Sequence, residues 1–119
     1  MEATNDTFPS SGIPPRVREA LTELVAGLKE SYGPRLGPVI LYGSFARGEG
    51  RLPDSDIDVL VVFNGKVETG QEIDRQLSLT TPISLKHDLV VSTLFRSRAW
   101  FQGGDGPLWL NVQREGVRL

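Results

Sequence analysis

Apolar and polar positions fall in blocks whose period changes along the chain, and each block predicts an element. Val17, Ala20, Leu21, Leu24, Val25, Leu28 and Tyr32 recur at three- and four-residue spacing, the stripe of an amphipathic helix. Pro14 and Pro15 suit its first turn, where a missing N–H is no loss, and Gly33-Pro34 stops it. Residues 39–42 predict a buried strand that Gly43-Ser44 breaks, and residues 45–48 suit a short helix opening directly after it. A polar loop over 50–55 leads to residues 57–63, a continuous apolar run fitted to the middle of a sheet. Beyond a turn at 64–66, Ile73, Gln76 and Leu77 suggest a short polar helix over 69–79, closed by Thr80-Thr81-Pro82. Residues 83–92 predict a third strand on Ile83, Leu85, Leu89, Val90 and Val91, interrupted by Asp88. Residues 93–102 read as helical or irregular, with Leu94, Phe95 and Trp100 in the core. A Gly-rich turn at 103–106 precedes a last helix over 107–115, capped by Gly116.

Strands alternating with helices in a chain of 119 residues predict one α/β domain, a sheet flanked by helices, over residues 13–119. The pattern does not fix the strand order. Residues 1–12 are rich in Thr, Asn, Ser and Gly without an apolar period and predict a flexible tail.

Composition removes several classes of chemistry. With no Cys, disulfides and thiolate metal sites are excluded, and a single His, His87, cannot build a His-based cluster. Any metal must therefore be a hard, oxygen-loving one. A net charge of −2 gives no field for nucleic acid, which makes nucleic acid an unlikely direct partner. No apolar run approaches the ~20 residues of a membrane span, so a cytoplasmic protein without membrane contact is expected.

The candidate chemistry gathers at both ends of one turn-and-strand unit. Asp56 and Asp58 sit two apart at the mouth of the predicted second strand. Side chains alternate in a strand, so both carboxylates face one way, roughly 6.5–7 Å apart, while Ile57 and Val59 face the core. Two adjacent acids repel and are tolerated mainly when a cation sits between them, which suggests a divalent-metal site. Exposed acids capping a strand are the plainer alternative. Gly43 lets the backbone turn sharply beside a ligand, and Ser44 offers a hydroxyl and an N–H for phosphate oxygens, although a Gly-Ser turn is more often only a turn. Asp88, inside a predicted apolar strand, needs a partner: a salt bridge with Lys86 or an Arg, or a cation shared with the other two acids. His87 is expected to be structural.

Gly43-Ser44, Ala46-Arg47-Gly48, Ser55-Asp56-Ile57-Asp58 and Asp88 together resemble the polymerase β-like nucleotidyltransferase superfamily, and most of all its minimal nucleotidyltransferases. The ending from Pro107 to Val117 is similar too, so the resemblance spans about residues 15–119. The loop between Ser44 and Asp56 is one residue longer than in that branch, with Leu52 as the extra residue, and loop length is cheap to vary.

The resemblance implies the superfamily's fold, a small mixed sheet flanked by helices. It implies that Gly43 and Ser44 hold phosphates of a nucleoside triphosphate, with Arg47 a further candidate contact. Asp56 and Asp58 would bind the Mg²⁺ carrying the triphosphate, and with Asp88 a second Mg²⁺ near the acceptor. ATP would be the substrate and Asp88 a candidate proton acceptor. With no second domain expected to hold an acceptor, the acceptor should come from a partner, an oligomer or a small molecule in an open cleft. The resemblance implies an antitoxin that transfers AMP from ATP to a tyrosine hydroxyl of a helical HEPN-type ribonuclease toxin. The alternatives are an antitoxin acting by contact alone and an aminoglycoside-type transfer to a small molecule.

Overall fold

The computed structural model describes residues 13–119; the tail expected over 1–12 lies outside them. The first helix, α1 (Pro15–Tyr32), buries Val17, Ala20, Leu21, Leu24, Leu28 and Tyr32, the predicted stripe. Full burial of such side chains is worth roughly 1.5–3 kcal/mol each. A 3-10 turn over Gly33–Arg35 leads into β1 (Leu36–Tyr42). That strand starts three residues earlier than its apolar run. Gly37 and Pro38 fall where the register against the next strand shifts between Leu36 and Val39, an irregularity that accommodates a residue without an N–H. The next strand, β2 (Ile57–Phe63), matches the apolar run residue for residue.

The largest departure follows. Helix α2 spans Thr69–His87, so it passes through Pro82 and absorbs the first half of the predicted third strand. Its buried positions are Glu72, Gln76, Thr80, Ile83 and His87, while Ile73, Leu77 and Leu85 are exposed. The helix therefore turns a largely polar stripe inward, which a reading of apolar positions cannot see. Asp88 ends α2 in the left-handed region (φ 54, ψ 56) as its cap. It is exposed and not inside a strand, so the expected cost of a charge in an apolar strand does not arise. Leu89 then re-enters the core, and the third strand is β3 (Val91–Ser97), which contains the Leu94 and Phe95 expected in helical or irregular chain.

Two short helices, α3 (Arg98–Gly103) and α4 (Gly106–Glu115), precede a two-residue strand, β4 (Val117–Arg118), that the sequence pattern did not suggest. Gly116 caps α4 as expected, its N–H bonding the Val112 carbonyl at 2.9 Å. The sheet has the order β3-β2-β1-β4, with β2 and β3 parallel and the other pairs antiparallel. It is a mixed sheet flanked by helices. On one face Val39, Leu41, Ile57, Val59, Val61, Phe63 and Val91 pack on α1 and α2. On the other, Ile40, Leu60 and Val62 pack with Val112 of α4 and with Trp100, Phe101 and Leu108.

His87, the last residue of α2, is buried with Nε2 3.0 Å from Glu23 Oε2 of α1, and Lys86 Nζ donates to the same oxygen at 2.9 Å. This is a helix-to-helix tie. Both contacts hold the Glu23 carboxyl below its ordinary range, the lysine hydrogen bond first and the histidine next.

Candidate active site

The antiparallel pair β1–β2 brings the two candidate motifs together, because Tyr42 at the end of β1 stands opposite Asp58 near the start of β2. Gly43, the next residue, therefore turns over the Asp58 side chain. Its φ is +80°, and a Cβ there would collide with Asp58 Oδ2. Only glycine satisfies both the dihedral and the close approach. Residues 45–48 do not form the expected short helix. They are turns, closed by Arg47 N–H to Gly43 O (3.2 Å), Gly48 N–H to Phe45 O (3.2 Å) and Glu49 N–H to Ser44 O (2.9 Å). No helix begins at Ser44, so any anion here is received by single N–H groups rather than by a helix dipole.

Phe45 anchors this turn. It is fully buried, and its ring fills the place that a Cβ on Gly50 would need. The following loop is pinned by two bonds between Arg51 and Ser55: Arg51 N–H to Ser55 Oγ at 3.0 Å and Ser55 N–H to Arg51 O at 2.8 Å. The loop delivers Asp56 to the mouth of β2, where Ile57 N–H bonds Val90 O at 2.9 Å and starts the ladder with β3.

Asp56 is exposed and Asp58 half-buried, with Ile57 and Val59 fully buried on the opposite side, the alternation the sequence required. The Asp58 carboxyl is pushed above its ordinary 3.8 by burial first and then by the charge of Asp56; Arg47 opposes the shift and Glu115 adds to it. The Tyr42 hydroxyl is raised too, by burial and by Asp58, against Arg96. A carboxylate that is partly desolvated next to another is the environment that a hard cation relieves.

Asp88 lies at the same end of the sheet as Asp56, since β2 and β3 run parallel with Ile57 opposite Val91. Across the ladder, however, the residue opposite Asp58 is Ser92. Among the described residues no group of three or more His, Asp or Glu is placed to hold a metal. The donor set therefore fits a Mg²⁺ that takes one or two carboxylates from the protein and its remaining oxygens from phosphates and water.

One site residue escaped the sequence reading. Glu115, the last residue of α4, reaches back to the Gly43 turn. Its Oε2 accepts the Gly43 N–H at 2.7 Å, and both its oxygens lie 3.1 Å from Arg47 Nη1. Arg47 also donates from Nε to Glu49 Oε1 at 2.9 Å. These two hydrogen bonds, Glu49 first and Glu115 second, raise the guanidinium pKa further. A signal for Glu115 existed: an acid in the last turn of a helix opposes the macrodipole and needs a compensating partner.

Residues 21–103 match the family model of the nucleotidyltransferase domain. The chain belongs to that family. This nucleotidyltransferase is 37% identical over 83 residues to a Methanocaldococcus jannaschii protein named as a putative protein adenylyltransferase, an alignment covering 70% of the chain and 76% of the relative. Among solved structures it resembles a mutant of the toxin-antitoxin MntA-HpeT, with a TM-score of 0.58 and 19% identity over 83% of this chain and 70% of that one. It also resembles a toxin-antitoxin with AMP-PNP, with a TM-score of 0.56 and 19% identity over 80% and 68% of the two chains. At those identities the two structures establish the shared fold. Among the described residues no helix is long and apolar enough to cross a membrane.

Proposed function

We propose that this nucleotidyltransferase transfers AMP from Mg²⁺-bound ATP to a hydroxyl group of a protein partner, a HEPN-type ribonuclease toxin, and so acts as its antitoxin in the cytoplasm. The observation that carries the proposal is Asp58, two residues from Asp56 and packed against Gly43, whose N–H and the nearby Arg47 guanidinium already hold a carboxylate. One set of groups attracts a cation and the other attracts anionic oxygens, which together suit a metal-bound triphosphate. The names of the similar proteins, an adenylyltransferase and toxin-antitoxin structures, support the choice of nucleotide and acceptor.

In the proposed reaction the partner's hydroxyl oxygen forms a bond to the α-phosphorus, the bond to the β-phosphate oxygen breaks, and pyrophosphate leaves. Mg²⁺, when bound, supplies charge neutralisation on the phosphates and lowers the pKa of the attacking hydroxyl. Asp56 and Asp58 would hold it, and Asp88, at the same end of the sheet, would face a second ion on the acceptor side and accept the hydroxyl proton. Gly43, Ser44 and Arg47 bind and orient the phosphates. Incubating the full chain with ATP, Mg²⁺ and the product of the adjacent gene tests this by intact mass. The expected result is a partner heavier by one AMP and inactive as a ribonuclease. A partner that is inhibited without any mass gain would instead establish blockade by contact.

A further inference from the structure

We infer that Glu115 sets the nucleotide affinity of this site by competing with phosphate for the Gly43 N–H and the Arg47 guanidinium. The inference rests on the nucleotide reading above and extends it to a residue that reading does not use. Glu115 offers the same chemistry as a phosphate edge, two anionic oxygens, to the same donors: 2.7 Å to Gly43 N and 3.1 Å to Arg47 Nη1. Charge-assisted bonds of this kind are stronger than neutral ones, so an incoming phosphate must match them before it gains anything.

Three observations make Glu115 an exchangeable occupant rather than a fixed brace. It sits at the C-terminal end of α4, where the macrodipole repels a carboxylate. It adds to the unfavourable charge around Asp58. Its second donor, Arg47, is 43% exposed and shared with Glu49, so the guanidinium can turn to a new anion while Glu49 stays paired with it. Glu115, itself 17% exposed, has an edge open to solvent. Exchange of one anion for another keeps the Gly43 N–H and Arg47 paired throughout. The same contacts hold the donors in place for phosphate and lower its apparent affinity by the fraction of time they are taken. Because α4 also packs Val112 on the sheet face beside β1, movement of the Glu115 side chain alone suffices; the helix need not leave.

Calorimetric titration of the full chain decides the matter, with two probes: AMP-PNP in Mg²⁺ and inorganic tripolyphosphate in Mg²⁺. The variants are Glu115→Gln and Glu115→Ala, each checked for folding by thermal melt. Both probes should bind about 10-fold more tightly to the Ala variant, and by a smaller factor to the Gln variant. The glutamine carbonyl still accepts from Gly43 but carries no charge. Tripolyphosphate should show the same ratio as AMP-PNP, because the competition concerns phosphate and not base or sugar. Should the Ala variant fail to fold, the nearly isosteric Gln variant decides alone. Unchanged or weaker binding in the folded variants, with the native chain binding normally, overturns this inference and leaves the nucleotide reading intact. No binding of AMP-PNP by native chain or variants overturns both.

Discussion

Two acids of this protein, Asp58 and Glu72, occupy opposite electrostatic situations. Glu72, on α2, is 1% exposed, the more deeply buried of the two, yet its Oε2 lies 2.8 Å from Arg35 Nη2. Burial pushes its carboxyl up, but the Arg35 hydrogen bond, the neighbouring Tyr32 hydroxyl and the charges of Arg35 and Arg75 prevail and leave it below its ordinary 4.5. Asp58 is only half-buried, yet that burial, with the charges of Asp56 and Glu115 added to it, outweighs Arg47 and leaves it raised. The contrast separates structure from function better than burial does. A buried acid with its own cation is finished chemistry, whereas a shallower acid set among other acids is the kind of group that an outside cation would stabilise. Around Glu72 the Tyr32 hydroxyl is pushed up to about 12, chiefly by burial and then by Glu72, and the Arg35 guanidinium lies 5.7 Å from the Tyr32 ring and 5.3 Å from the Phe63 ring. That cluster joins α1, α2 and the sheet and touches none of the site residues.

The contrast can be broken first at the level of activity. Asp56→Asn and Asp58→Asn should each lower transfer by at least ~10²–10³-fold while the melting cooperativity stays native, because each removes an oxygen of the proposed metal site and leaves the core untouched. Labelled-ATP transfer assays check this; retained transfer in either variant removes it from the site. Glu72→Ala should do the reverse. It should cost about 1–3 kcal/mol of stability by removing the carboxylate partner of Arg35 and emptying the space of a fully buried side chain, with nucleotide affinity unchanged. Urea unfolding beside a nucleotide titration distinguishes the two effects.

Much of this was legible in the sequence, for reasons that can be assigned. The β2 strand and its paired acids could be read because an uninterrupted apolar run fixes which way alternate residues face. The α1 stripe was equally plain. The end of α2 was not, because its inward stripe of Glu72, Gln76 and Thr80 is polar and its Ile73, Leu77 and Leu85 point outward. Pro82 then imitated a helix stop, and Ile83 to Val91 imitated a strand. The misplacement of Asp88 followed from that one misreading. Glu115 was hidden for another reason: its contacts reach back across the chain to Gly43 and Arg47, and no local period records a contact of that span.

The smallest expected effect concerns the sign of the pH dependence. Asp58 has a folded-state pKa raised above its unfolded value, so its favourable contribution is complete below about the ordinary 3.8 and is lost as pH rises through the folded value. Near neutrality the ionised group strains the fold, and Asp58→Asn should raise the melting temperature of the metal-free protein by roughly 1–3 °C. Glu72 has a lowered folded-state pKa, so its stabilisation is present above about the ordinary 4.5 and fades as pH falls through the folded value. Glu72→Gln should therefore lower the melting temperature near neutrality and matter progressively less in acid. Melts of the two variants across that acid range check the opposed signs.

The central claim is that Asp56 and Asp58 await a cation that arrives with a nucleotide. Its most direct test is calorimetric titration of AMP-PNP into the native chain and into Asp58→Asn, each with Mg²⁺ and with the metal chelated. The account predicts tight binding by the native chain only when Mg²⁺ is present, and weak, metal-insensitive binding by the variant. Equal affinity with and without Mg²⁺ in the native chain, or an unchanged metal dependence in Asp58→Asn, would contradict it.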